Sequence, residues 1–177
     1  MIASLVGSEM CIRDSTRGTS HDEYARYTED GNVNAETLMR LMRKFRTASE
    51  LVPEPLIEIN GEDSCGIIFY GSSKPAVLEA KDILKTKNIN VDLMQIRSFP
   101  FNLDVWEFIA NHDRIYVVEQ NRDSQMRTLI MAEGGISAEV LRPLVHFTGD
   151  PIEAEYIVNK VSEREVNYKS HKNIKER

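Results

Sequence analysis

Two short stretches carry more hydrogen-bonding chemistry than local structure needs. The first, "EQNRDSQ", runs from Glu119 to Gln125 directly after the five strand-forming residues "RIYVV". It sets a carboxylate, two amides, a guanidinium and a second carboxylate side by side. Capping the helix that follows takes only one residue, Asp123 or Ser124. The surplus of Glu119, Gln120, Asn121 and Arg122 suits charge-assisted hydrogen bonds across an interface whose geometry must be fixed. A solvated loop is the plainer alternative. The second stretch, "GSS" (Gly71, Ser72, Ser73), also follows an apolar run. Gly71 permits a tight turn, and the N–H groups that open the next helix could hold an anion. Here the plainer alternative is that Ser72 or Ser73 caps that helix.

Other constellations are weaker. There is no GxGxxG and no GxxxxGK[ST], so neither a dinucleotide nor a triphosphate site is indicated. His21, Asp22 and Glu23 are adjacent in sequence, and neighbours do not face one ion in either helix or strand. His112 and His146 have no nucleophile at a recognisable spacing and read as structural. Cys11 and Cys65 form no CxxC pair and are too few for a four-cysteine cluster or a disulfide framework. A reducing, cytoplasmic setting is the expectation.

The elements that must position these residues alternate. "GIIFY" (Gly66 to Tyr70), "VDLMQI" (Val91 to Ile96), "RIYVVE" (Arg114 to Glu119) and "AEVLRPLV" read as short buried strands. "KPAVLEAKDILKTK" carries Val77, Ala80, Ile83 and Leu84 on one helical face. "FNLDVWEFIANHD" reads as a helix with Leu103, Trp106 and Ile109 or Ala110 inward, and another spans about Asp123 to Met131. A last helix spans Pro151 to Val161, with Asp150 as N-cap and Pro151 at the first helical position. Short apolar strands alternating with amphipathic helices predict a three-layer α/β domain, a mainly parallel sheet with helices on both faces.

Before that domain, Asn34 to Arg46 places Leu38, Leu41, Met42 and Phe45 on one helical stripe, with Asn34 as N-cap. "VPEPLIEINGEDS" then reads as a linker with a boundary near Ser64. The expected division is residues 1–15 outside the fold, 16–50 the end of one domain, 51–64 a linker, 65–161 the α/β domain and 162–177 a polar tail that frays. The first fifteen residues have no helical or strand period. "SLVGSEMCIRDS" is similar to translated sequencing-adapter sequence, so residues 1–15 are expected to be an artefact, with Thr16 falling in the middle of a longer chain. A frayed natural leader is the alternative.

The 177 residues are 41% hydrophobic and 28% charged with a net charge of -6, which lacks the basic excess that phosphate backbones select. No apolar run approaches the roughly 20 residues needed to span a bilayer. Neither nucleic acid nor a membrane is an expected partner.

Taken in order, "RGTSHDEYARYTED", the helix with "MRKF", "GIIFYGSSKPAVLEA", "MQIRSFPF" and "IYVVEQNRDSQMRTLI" resemble the C-terminal part of the alpha subunit of 2-oxoacid:ferredoxin oxidoreductases, most closely the 2-oxoglutarate type. The resemblance covers about Thr16 to Val161. It implies a helical remnant of a thiamine-diphosphate-binding domain at residues 16–50, then a transketolase C-terminal-like domain at 65–161. The complete enzyme so implied decarboxylates a 2-oxoacid on thiamine diphosphate and Mg with its beta subunit. It passes electrons through iron–sulfur clusters on partner chains to ferredoxin, and coenzyme A takes the acyl group.

The residues that contact cofactor and substrate in that family lie mostly before Thr16. No catalytic, cofactor-binding or metal-binding residue is therefore assigned to this stretch, which is expected to act in structure and assembly. On this resemblance Glu119, Gln120, Asn121, Arg122, Asp123 and Gln125, joined by Arg127, form a polar edge that docks the domain on its own subunit or on a neighbour. His21, Asp22 and Glu23 belong to the same family surface. The rival readings are a freestanding Rossmann-like or flavodoxin-like module that binds a small anion at Gly71 to Ser73, and another thiamine enzyme sharing the C-terminal fold.

Overall fold

Apolar runs of five residues become central strands where both of their faces are covered, because β-branched side chains pack well on a doubly buried pleat. The computed structural model describes residues 20–61 and 65–175. Residues 1–15 and the boundary expected near Ser64 lie outside the described residues. The chain divides into two units, one ending at Ala48 and the other beginning at Ser49.

The first unit holds a short antiparallel pair, β1 (Ser20–His21) and β2 (Tyr27–Thr28), and most of helix α1 (Gly31–Leu51). The helix starts three residues before Asn34. Asp30 supplies the start: its carboxylate accepts from the Asn32 N–H at 2.8 Å and its carbonyl from the Asn34 N–H at 3.1 Å. The expected stripe is present but uncovered. Leu38, Met42 and Phe45 are 54%, 70% and 54% exposed, and among the residues of α1 only Thr37 is buried.

The second unit is a five-stranded sheet. Its strands are β3 (Leu56–Glu58), β4 (Cys65–Phe69), β5 (Val91–Gln95), β6 (Ile115–Glu119) and β7 (Leu141–Val145), in the order β3-β5-β4-β6-β7. The last four are mutually parallel, with Ile67 opposite both Leu93 and Tyr116. β3 runs antiparallel to β5 and forms inside the stretch read as a linker. Its three residues between Pro55 and the Asn60-Gly61 pair are too few to show a period. Helices α2 (Lys74–Thr86) and α5 (Ala154–Lys175) pack with Ile67, Tyr116 and Val118 on one side of the sheet. α3 (Leu103–Ala110) and α4 (Gln125–Gly134) pack with Ile68, Ile115 and Val117 on the other. The three-layer, mainly parallel arrangement is the one the alternation predicts.

Two helices differ from expectation. In α3 the buried residues are Val105, Phe108 and Ile109, while Leu103 is 68% exposed and Trp106 only half-buried. The helix is therefore turned by about one position. α5 begins at Ala154, not Pro151, and continues to Lys175, beyond the end expected at Val161. Buried ionic contacts carry it on. Glu165, 2% exposed, accepts from Arg114 Nε and from the Tyr116 hydroxyl, each at 2.8 Å. Arg114 also lies 4.3 Å from the ring centre of Tyr168. Such a pair costs desolvation, and only full hydrogen bonding makes it tolerable.

A second buried polar contact fixes the opposite part of the sheet. His112 Nε2 sits 3.1 Å from Asp92 Oδ2 and its Nδ1 sits 2.7 Å from the Phe108 carbonyl. Asp92 Oδ1 accepts from the Asn60 N–H at 2.7 Å, which ties the segment after β3 to β5. His112 is structural, as its sequence context indicates.

Two outcomes follow from this packing. A Cβ added at Gly134 would run into the Trp106 ring, so Gly134→Ala should destabilise the chain by about 1–3 kcal/mol. Urea denaturation checks this, and an unchanged midpoint would contradict the contact. Cys65 is fully buried, and burial, reinforced by Glu165, pushes its thiol up to about 12. The folded state then keeps a proton that the unfolded thiol gives up near 9, so this residue's contribution to stability is lost as pH rises above that value. An alkylating reagent at pH 8 should modify Cys65 only after denaturation, as read by peptide mass.

Candidate functional site

Strands β5 and β6 flank β4, and the chain reaches them over opposite faces, by α2 on one side and α3 on the other. The loops after β4 and β6 therefore diverge, and the crevice between them is where open parallel sheets receive ligands or partners. Here a cleft of about 340 Å³ is lined by Tyr70, Gly71, Ser72, Ser73, Gln120, Asn121 and Gln125. The two stretches singled out in the sequence thus converge on one place. Gln120 joins them, donating from Nε2 to Ser72 Oγ at 3.0 Å and Ser73 Oγ at 3.3 Å. Its Oε1 accepts from the Ile152 N–H at 3.3 Å, so it also holds the segment that leads into α5.

Beneath the cleft lies Glu119, wholly buried at the end of β6. Its carboxylate accepts from the Met126 N–H at 2.7 Å, the Arg127 N–H at 3.0 Å and Asn121 Nδ2 at 2.8 Å. Two of these donors are N–H groups of the first turn of α4, which have no partner within the helix. Asn121 Oδ1 accepts from the N–H groups of Asp123 at 3.1 Å and Gln125 at 3.3 Å. The cap of α4 is therefore Glu119 with Asn121, not Asp123 or Ser124. Ser124 occupies the position before the helix, in a left-handed conformation (φ 50°), and makes no side-chain cap bond. Ser73 likewise precedes α2 without capping it, its hydroxyl being engaged by Gln120.

The remaining candidates separate. Arg122 pairs with its neighbour Asp123 at 2.7 Å, with side chains 74% and 55% exposed, so this pair is free to meet a partner. Arg127 faces elsewhere, donating to the carbonyls of Leu141 at 2.6 Å and Ala138 at 3.2 Å, and so ties α4 to the start of β7. His21, Asp22 and Glu23 belong to the other unit. Asp22 Oδ1 closes the turn there by accepting from the N–H groups of Tyr24 and Arg26, and the His21 carbonyl accepts from Thr37 Oγ1. Asp22 and Glu23 line a groove of about 320 Å³ with Glu36, Thr37, Arg40 and Arg43.

The sequence reading did not single out Tyr70. Its hydroxyl meets Asn121 Nδ2 at 3.4 Å, and burial, followed by the Glu119 charge, pushes its phenol up. As the last residue of "GIIFY" it reads only as a strand end. Among the described residues no three His, Cys, Asp or Glu side chains gather as a metal site. Also among them, no helix is long and apolar enough to cross a membrane.

The fold has relatives. No protein-family model matches the chain. It is similar to 2-oxoacid:ferredoxin oxidoreductase 2, subunit alpha, of Aeropyrum pernix, at 28% identity over 141 residues, covering 76% of this chain and 22% of that protein. It is likewise similar to the 2-oxoacid:ferredoxin oxidoreductase subunit alpha of Saccharolobus solfataricus, at 28% identity over 140 residues and the same coverage. Among solved structures it matches the 2-oxoglutarate:ferredoxin oxidoreductase from Magnetococcus marinus with 2-oxoglutarate, coenzyme A and succinyl-CoA bound. That match has 25% identity and a TM-score of 0.70, covering 82% of this chain and 26% of that one. The chain is thus homologous to part of an oxidoreductase subunit. Its curated relatives are 2-oxoacid:ferredoxin oxidoreductase alpha subunits, and it spans less than a quarter of their length.

The cap makes a sharp prediction. Glu119→Leu leaves two N–H donors of α4 buried without acceptors and should cost about 2–5 kcal/mol. Glu119→Gln keeps one acceptor oxygen and should cost less. Hydrogen exchange read at Met126 and Arg127 should show protection falling from the unaltered chain to Glu119→Gln and further to Glu119→Leu. Equal protection in all three proteins would remove Glu119 from this role.

Proposed function

We propose that this chain is part of the alpha subunit of a 2-oxoacid:ferredoxin oxidoreductase of the 2-oxoglutarate type. The complete enzyme would decarboxylate a 2-oxoacid to an acyl-CoA and pass the electrons to ferredoxin. The observation that carries the reading is the TM-score of 0.70 over 82% of the chain against the 2-oxoglutarate:ferredoxin oxidoreductase of Magnetococcus marinus. When bound in the complex, thiamine diphosphate with Mg supplies the decarboxylation chemistry, and iron–sulfur clusters on partner chains carry the electrons. No step of that chemistry is assigned to residues of this chain.

Its own part is structural. On this reading residues 16–50 are the end of the thiamine-binding domain and 65–161 the transketolase C-terminal-like domain, to whose sheet the connecting stretch adds β3 and whose last helix runs on to Lys175. The exposure of Leu38 and Met42 supports the first assignment, because an exposed apolar helix face of this kind is an interaction surface. The polar edge from Glu119 to Gln125 docks the domain on the rest of the alpha subunit or on the beta subunit. Within it Glu119 and Asn121 hold the loop, and Arg122 and Asp123 face outward.

A full-length alpha subunit carrying this sequence, co-expressed with its beta subunit, should reduce ferredoxin in the presence of 2-oxoglutarate and coenzyme A. Absence of turnover with any 2-oxoacid would overturn the enzymatic reading. In the same complex, Arg122→Ala with Asp123→Ala should weaken subunit assembly without lowering the stability of the fold, since neither side chain is buried. Gel filtration showing assembly unchanged would remove this edge from docking.

A further inference from the structure

The charge beneath the cleft gives it a preference. Glu119 is fully buried, and among the described residues it forms no ion pair. Arg127 is committed to the Leu141 and Ala138 carbonyls and Arg122 to Asp123. Lys74, next after Ser73, is exposed and is not among the residues lining the cleft. The two α4 N–H groups offset the carboxylate only in part, because a helix N-terminus carries roughly half a unit of positive charge. Every side chain lining the cleft is itself uncharged. The lining offers the oxygens of Ser72, Ser73 and Tyr70, and the negative field of Glu119 reaches the Tyr70 hydroxyl, where it helps to keep the phenol protonated. An anion placed here would be repelled by the carboxylate below. A cation would be drawn in and would find hydroxyl oxygens.

The same edge of the sheet carries exposed apolar side chains. Phe99 follows β5, Phe147 follows β7 and Leu103 opens α3, and they are 44%, 60% and 68% exposed. A long basic side chain suits such ground, since its methylene stem can lie along apolar surface while its head remains polar.

We propose that the cleft between Tyr70–Ser73 and Gln120–Gln125 receives the basic side chain, lysine or arginine, of a neighbouring chain, its cationic head held over the carboxylate of Glu119, which is hydrogen-bonded but has no cationic partner among the described residues. This names the partner chemistry of the docking edge and rests on that reading. It also makes the anion reading of Gly71, Ser72 and Ser73 the competing outcome.

The test is a titration of the 177-residue chain, followed by backbone amide resonances of Gly71, Ser72, Asn121 and Gln125, with two probes taken separately: N-acetylarginine methylamide and inorganic phosphate. The arginine probe should move these resonances and saturate in the millimolar range, whereas phosphate should not. Ser72→Lys puts a cation at the exposed rim of the cleft without touching the Glu119 bonds, and should weaken the arginine probe by at least about tenfold. Movement by phosphate alone, by neither probe, or an unchanged response in Ser72→Lys overturns the proposal. The docking reading fails separately, through the assembly of the Arg122 and Asp123 variant. Impaired assembly there with no response to arginine keeps the edge as an interface and rejects the basic partner.

Discussion

A carboxylate with no access to water, at the end of a central strand, organises one side of this fold. Glu119 takes the first free N–H groups of α4 onto its own oxygens, and so fixes where that helix begins relative to β6. The loop between must then close in five residues, and Ser124 takes a left-handed conformation to do so. Such a conformation costs a residue other than glycine or asparagine of order 1 kcal/mol or more. It persists because hydrogen bonds to Glu119 and Asn121 determine both sides of it. The same carboxylate orients the Asn121 amide, which meets Tyr70, and Gln120 beside it spans to Ser72 and Ser73. Cap, loop and cleft are thus one hydrogen-bonded unit.

The layers were legible because they rest on periodicity. Ile67 and Ile68 are adjacent and face opposite cores, which is what an unbroken apolar strand requires in a three-layer domain. The convergence of Gly71–Ser73 with Gln120–Gln125 was half legible: polar clusters stood at two strand ends, and strand order, which the sequence does not carry locally, made them neighbours. The cap of α4 was not legible, because the rule of a short polar residue directly before the helix points to Asp123 or Ser124. The observed cap sits six residues before the first helical residue and reaches back through space. The length of α5 was hidden for a similar reason. The residues after Val161 are mostly polar and show no apolar period, whereas the contact that holds them runs from Glu165 to Arg114, fifty-one positions earlier, and to Tyr116.

The margins of the sheet are closed by different means. On the β7 side Arg164 donates to the Pro143 carbonyl at 2.8 Å and so covers a backbone acceptor of the edge strand. Pro143 itself has no N–H to offer a neighbouring strand. The β3 side is closed less completely. Leu56 and Ile57 remain 48% and 42% exposed, and the shortness of β3 is the protection, since three residues give a poor template for further pairing.

The distribution of uncovered apolar surface separates the two units. In the unit that begins at Ser49 the apolar side chains of the four parallel strands are almost wholly buried on both faces of the sheet. In the unit that ends at Ala48 an apolar stripe about two turns long is exposed and the helix buries one threonine. Helices of this length hold mainly by packing an apolar face, because propensity alone leaves them marginal in water. Leu38, Leu41 and Met42 keep the register of a packing face while remaining exposed. The well-buried core leaves the carboxyl edge of the sheet free for polar contacts, which is where Glu119, Gln120 and Asn121 make theirs.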